Sequence, residues 1–251
     1  MKIEFHYTYI IMAISFIITG HITNLIIFTS IIIIHELGHY IVAKITKLNP
    51  IKIIIYPYGG INKLEHLINT KISKELIVAI SGVLFQSSYY LIILILYKQN
   101  IIRNYIFNLF SKYHHSILFF NLLPINSLDG SKILSLLLFK LFPYKLVNKL
   151  NIIISILTLI IILIINYYKF NYTVILIISI IISNIIKYYK NLSYFFNKFI
   201  LERYLYNITY NKTKIITKID DMYKEKYHII KNKNTYLTEK QFLNHRFHGK
   251  T

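Results

Sequence analysis

Residues 29–39 read Thr29-Ser30-Ile31-Ile32-Ile33-Ile34-His35-Glu36-Leu37-Gly38-His39, an apolar run that ends in three ionisable side chains within five positions. On an α-helix, positions i and i+4 share a face, so His35 and His39 converge on one point. Neutral imidazole nitrogen is a zinc ligand, and a helix set in lipid shields such a site from bulk water. Glu36 lies about 100° round the helix from His35. There it stands beside a metal without ligating it, and can move a proton from an activated water to a leaving amine. Gly38 leaves room for a substrate backbone. A polar patch satisfied by neighbouring helices is the plainer alternative, but three ionisable groups at membrane depth are costly.

The surroundings of this stretch are those of a membrane protein. The 251 residues are 55% hydrophobic and 16% charged, with no cysteine, which excludes disulfides and thiol catalysis. A bilayer core of about 30 Å needs roughly 20 helical residues. Six segments qualify or nearly so: Phe5 to Thr19, Leu25 to Ala43, Leu76 to Tyr97, Ser116 to Phe142, Leu146 to Tyr168 and Tyr172 to Ile186. The first is short and resembles a signal peptide, but no small-residue cleavage site follows it, so it reads as a retained helix. Pro124 and Asp129 interrupt the fourth.

Charge supports an even number of spans. With both termini inside, 24 of the 29 Lys and Arg residues fall in cytoplasmic segments and four outside. The net charge of +19 is therefore a positive-inside and anionic-lipid signature, with the bilayer itself as partner. No helical stripe of Arg with interleaved aromatics appears, so nucleic acid is not an expected partner.

Eight of the ten acids lie in termini, loops or the tail, which leaves Glu36 and Asp129 inside hydrophobic segments. A metal held by two histidines needs a further ligand, usually a His or a carboxylate. Asp129 is the remaining acid at membrane depth, in Asn121-Leu122-Leu123-Pro124-Ile125-Asn126-Ser127-Leu128-Asp129-Gly130. It could equally be the N-cap of the following helix, paired with Lys132.

The two patterns together resemble the site-2 protease family of intramembrane zinc metalloproteases. That family carries H-E-x-x-H on one transmembrane helix and N-x-x-P-x-x-x-L-D-G on a later one. Tyr56-Pro57-Tyr58-Gly59-Gly60 is similar to the family's Pro-Phe-Gly-Gly turn, and Ser73-Lys74-Glu75 with Ala79-Ile80-Ser81-Gly82 to the opening of its third helix. The resemblance spans residues 29 to 142. It implies Zn2+ bound by His35, His39 and Asp129, Glu36 as catalytic acid and base, and Asn121 as a substrate or oxyanion contact. Gly59 and Gly60 are further candidate substrate contacts. Three departures stand out: Ser127 where a second proline is usual, Ser131-Lys132 for Gly-Arg, and Val83 after Gly82.

The expected architecture is an all-α polytopic membrane protein of about six transmembrane helices, with a small membrane-associated β-hairpin after helix 2. Residues 1–189 form the metalloprotease domain and 190–251 a basic cytoplasmic tail, too short for a full CBS domain. The hairpin strand Ile51 to Tyr56 offers an edge on which an unwound substrate could add. Loops too short for a PDZ domain argue against the envelope-stress branch, and six spans with both ends inside resemble the branch of the sporulation factor IVB type. Its substrate is the membrane-associated precursor of a sigma factor, and an inhibitory or regulatory membrane partner is possible. Two other readings fit the composition: a membrane-anchored metalloprotease of another family, acting on soluble or misfolded proteins, and a non-enzymatic polytopic protein. The former would draw a ligand from Glu202, Glu225 or Glu239, none of which lies in a matching motif.

Overall fold

The computed structural model describes all residues except 1, 58, 65–66, 166–171, 207, 209, 211, 233–234 and 249–251. The chain divides into two compact units, residues 1–66 with 74–122, and residues 67–73 with 123–251.

In the first unit, β1 (Lys2–Phe5), α1 (Tyr7–Ile18), α2 (Ile22–Ile45), β2 (Pro50–Tyr56) and β3 (Gly59–Leu64) precede α3 (Ile72–Lys98) and α4 (Asn104–Leu122). α2 is the central element because its apolar and polar buried residues fall at helical spacing. Ile27, Ile31, His35 and His39 form one buried stripe, each four residues from the last. The upper half of that stripe packs with Phe110 of α4 and with Tyr89, Tyr90 and Ile93 of α3. An adjoining face of α2 buries Ile32 against Tyr9, Ile53 and Ile55, which ties α1 and the sheet to it.

The sheet has the order β1-β2-β3, with β1 parallel and β3 antiparallel to β2. β2 is its central strand, flanked on one side by Ile3↔Ile53 and on the other by Ile55↔Gly60. The expected docking edge at Ile51 to Tyr56 is therefore taken up on both sides. Lys2–Phe5 alternates charged and apolar residues well enough to pair, and Glu4 fixes the pairing through an ion pair to Lys52 at 2.5 Å.

The second unit holds α5 (Asp129–Leu141), α6 (Tyr144–Ile165), α7 (Tyr172–Leu205), β4 (Thr213–Ile216), β5 (Tyr227–Asn232), β6 (Thr235–Thr238) and α8 (Glu239–His248). The expectation of one segment from Ser116 to Phe142 is corrected here. α4 ends at Leu122 and α5 starts at Asp129, because Pro124 disfavours helical geometry at Leu123 and Ser127 turns left-handed at φ 84°. That φ is one proline cannot adopt, so a second proline at position 127 would not fit this turn.

Among the described residues, three helices are long and apolar enough to cross a membrane: Ile22–Ile45, Ile72–Lys98 and Tyr144–Ile165. The expected six do not all appear in that form. α1 has 12 residues, about 18 Å of helix, well short of a bilayer core. The sixth expected segment continues as α7 to Leu205, through position 190. Two small sheets also make the chain mainly helical rather than all-α.

The residues after α7 fold around Arg203. Its Nε donates to Asn69 Oδ1 (3.0 Å), Nη1 to Lys226 O (3.0 Å) and Glu239 Oε1 (2.9 Å), and Nη2 to Tyr223 O (2.6 Å) and Lys224 O (2.8 Å). Phe199 and Tyr210 cover the guanidinium at 4.8 and 4.5 Å from the ring centroids. β4 runs parallel to β5, and β6 returns antiparallel. α8 opens with a reciprocal cap, Thr238 N to Gln241 Oε1 (3.0 Å) and Gln241 N to Thr238 Oγ1 (3.3 Å).

His228 and Glu239 make this region acid-sensitive. Burial, joined by the Arg203 charge, pushes the His228 imidazole below its ordinary 6.5, against the opposing pull of Glu239. Burial would raise Glu239, but its hydrogen bond from His228 and the Arg203 charge outweigh that and hold it low. Both shifts mean that the unfolded chain binds more protons, so stability is fully present above the ordinary values and is lost as pH falls through the shifted ones. Amide protection factors across residues 213–247 of the full chain should therefore decline below pH 6.5. A constant or rising protection from pH 7 to about pH 4.5 would contradict this coupling.

Candidate metal centre

The first unit orients both imidazoles. His39 Nδ1 lies 2.7 Å from the carbonyl oxygen of Val78, which can only accept, so Nδ1 carries the proton. His35 Nδ1 lies 3.0 Å from Gln86 Oε1. The Gln86 amide is fixed the other way by its Nε2, which donates to His114 O at 3.0 Å, so His35 Nδ1 is also the donor. Each Nε2 is left with its lone pair, and the two Nε2 atoms face each other at 3.1 Å. Two acceptors so placed call for an electropositive centre between them. Imidazoles that donate the second nitrogen to a carbonyl or amide are the usual form of metal-bound histidine. The residues present therefore fit a divalent metal such as zinc.

Backbone packing holds the pair in place. A Cβ on Gly82 would lie 2.3 Å from His39 Nε2 and 2.8 Å from His35 Nε2, so only glycine lets α3 approach here. Gly38 meets α3 in the same way, with a Cβ position 2.7 Å from Ser81 O and 2.8 Å from Phe85 Cβ. Its role is helix packing; the room expected there for a substrate is occupied by α3.

Glu36 points to the other side of α2, toward β3. Asn62 Nδ2 donates to its Oε2 at 2.6 Å and to its backbone oxygen at 3.1 Å. A Cβ on Gly60 would fall 2.3 Å from Glu36 Cγ, so the strand lies directly on the carboxylate stem. Gly59 has φ +146°, where side chains are strained, and no atom crowds it. Thus Gly60 admits Glu36, while Gly59 serves the turn. Tyr58 of the expected turn lies outside the described residues. Asn121 sits in the last turn of α4. Neither Asn62 nor Gln86 was singled out from the sequence. Both contacts are long-range, and an isolated Gln in an apolar helix was the one available signal.

In the second unit, Asp129 is buried and opens α5 as its first helical residue; the cap position itself is Leu128. Lys132 Nζ donates to Asp129 Oδ1 at 2.9 Å, as the i,i+3 spacing anticipates. The loop before it is anchored to α6. Asn126 N donates to Ser155 Oγ (2.8 Å), and Ser131 Oγ to Asn151 Oδ1 (2.7 Å). Ser131, one of the departures from the family pattern, is thus an anchoring hydroxyl.

The fold is that of the site-2 proteases. Site-2 Protease from Methanocaldococcus jannaschii superposes with a TM-score of 0.59, covering 74% of this chain and 89% of that one at 24% identity. In sequence, Stage IV sporulation protein FB of Bacillus subtilis (strain 168) is 36% identical over 152 residues, 60% of this chain and 52% of that protein. The chain thus spans about half the length of the curated relative it matches. No family model matches the chain. The structural likeness shows the fold, and the sequence likeness extends over 152 residues of the chain.

Proposed function

We propose that the chain is an intramembrane zinc metalloprotease, hydrolysing a peptide bond in or near the membrane segment of a membrane-associated protein. The observation that carries this reading is the facing pair of Nε2 lone pairs on His35 and His39, 3.1 Å apart in the interior of an apolar helix. His35 and His39 would hold the zinc, with Asp129 as the third ligand. Once bound, zinc supplies Lewis acidity, polarising the scissile carbonyl and making an attacking water more acidic.

Glu36 supplies the proton traffic. Its carboxylate takes a proton from the attacking water and returns it to the amide nitrogen as the C–N bond breaks, leaving a carboxylate and an amine. Asn62 holds that carboxylate in one orientation, which lowers the reorganisation needed for transfer. A substrate helix hides its carbonyls in internal hydrogen bonds and must first unwind. With β2 enclosed, the outer edge of β3, which carries Gly59, Gly60 and Asn62, is the strand edge nearest Glu36 for an extended substrate. Asn121 would contact the substrate or the developing oxyanion.

The same reading takes both termini as cytoplasmic, about six crossings, and residues 1–189 as the protease domain ahead of the basic tail. The relative's role in sporulation suggests a pro-sigma factor as substrate, with a regulatory membrane partner. Reconstituted full chain, offered a membrane-anchored pro-sigma substrate in vesicles, should cut it, stop with a zinc chelator and recover on zinc addition. Cleavage that persists after complete metal removal would overturn the proposal.

A smaller prediction concerns the α3 approach. Gly82→Ala should displace the imidazoles and lower zinc affinity by about ten- to a hundredfold. Competition with a chromogenic chelator measures this, and unchanged affinity would show that the Nε2 pair does not bind the metal.

A further inference from the structure

Unit two contains a cavity of about 390 Å³, lined by none of the residues proposed above for metal binding, proton transfer or substrate contact. Its walls bring Lys145 and Lys149 of α6, Ser193 and Asn197 of α7, Asp220 of the 3-10 turn and Arg246 of α8 to one place. Three cations thus face a single carboxylate. Asp220 is already engaged by Lys145, which also lies over the Phe196 ring at 5.2 Å. Among the described residues, Lys149 and Arg246 have no ion-pair partner. Lys145 and Lys149 are four residues apart on one helix face, an arrangement that costs free energy unless an anion offsets it.

We propose that this cavity binds a phosphate ester, with Lys149 and Arg246 as its charge ligands. Arg presents a planar fork that matches phosphate oxygens, and Ser193 and Asn197 add neutral hydrogen-bonding groups. The volume exceeds what a bare phosphate fills and lies in the range of small-molecule sites, so the phosphate carries an organic group. Position narrows its source. Beyond Lys149, α6 runs from Asn151 to Ile165 without a charged residue, and this helix is apolar enough to span. The cations therefore mark the end of a spanning helix, the level at which phospholipid headgroups lie. A headgroup and a free phosphomonoester share the recognised chemistry.

The test uses the full-length chain and two double variants with the same loss of charge. Lys149→Ala/Arg246→Ala empties the cavity of its free cations. Lys212→Ala/Lys240→Ala removes two exposed tail lysines elsewhere. One arm measures retention of phosphatidylglycerol against phosphatidylcholine in mixed nanodiscs, and the other titrates glycerol 3-phosphate calorimetrically. The cavity variant should lose at least about tenfold in affinity in one arm while the tail variant keeps it. Loss confined to the nanodisc arm identifies a lipid headgroup, and loss confined to the titration identifies a soluble ester. Equal losses in the two variants would reduce the effect to surface charge and overturn the site. Absence of binding in both arms would overturn it as well.

Discussion

Replacing Glu36 with glutamine is expected to lower cleavage by about a hundred- to ten-thousandfold while leaving zinc bound. The substitution keeps the shape and the hydrogen bond that Asn62 makes at 2.6 Å, since a glutamine oxygen still accepts. It removes the basic site, the carboxylate that α2 carries beside the imidazole pair and that can receive a proton from water. The proposed zinc ligands are nitrogens on a different face of α2, so zinc content should not change. Cleavage at the wild-type rate would remove Glu36 from the mechanism. Loss of zinc together with activity would instead make it a ligand. Asn62→Ala offers a graded companion, lowering the rate less than Glu36→Gln because the base survives and loses only its orientation.

The largest stability effect is expected at Arg203. Arg203→Ala should destabilise the region after α7 by about 3–5 kcal/mol, because it removes the guanidinium paired with the buried Glu239 carboxylate and leaves Asn69 Oδ1 with only the long 3.5 Å contact from the Tyr210 hydroxyl. Hydrogen exchange of the full chain reads this as loss of protection across residues 213–247. Arg203→Lys should fare little better, since three rotatable donors cannot reproduce a planar fork that meets five acceptors. Replacing both partners, Arg203→Met with Glu239→Leu, should recover part of the loss by removing the stranded charge. Wild-type protection in Arg203→Ala would show that the tail is held by its sheet alone.

Sequence reading captured α2 and the approach of its two histidines because the signals are local. An i,i+4 histidine pair in an apolar run fixes both the helix and the convergence of the imidazoles. The buried carboxylates of Glu36 and Asp129 were equally readable, since an acid inside a hydrophobic segment stands out against a chain with few of them. In the stretch Ser116 to Phe142 the interruption at Pro124 was legible, but its extent from Leu123 to Leu128 depends on the left-handed backbone at Ser127. α4 begins earlier than expected because Lys112, His114 and His115 mask its apolar face. β1 is four residues with two charges, too short to signal a strand until Glu4 meets Lys52. The orienting contacts of Gln86, Val78 and Asn62 join positions far apart in the chain, and no spacing rule reaches them. Arg203 was visible only as part of a short string, and its role depends on Asn69, 134 residues earlier.

The central claim is that His35 and His39 form half of a zinc site, and metal content tests it most directly. Purified full chain, analysed for zinc by mass spectrometry after gentle chelation of loosely held ions, should carry about one zinc per chain. Glu36→Gln should match it, Asp129→Asn should hold zinc more weakly, and His35→Ala or His39→Ala should carry none. Zinc retained at wild-type level in the two histidine variants would contradict the account, as would an active wild-type chain that contains no metal.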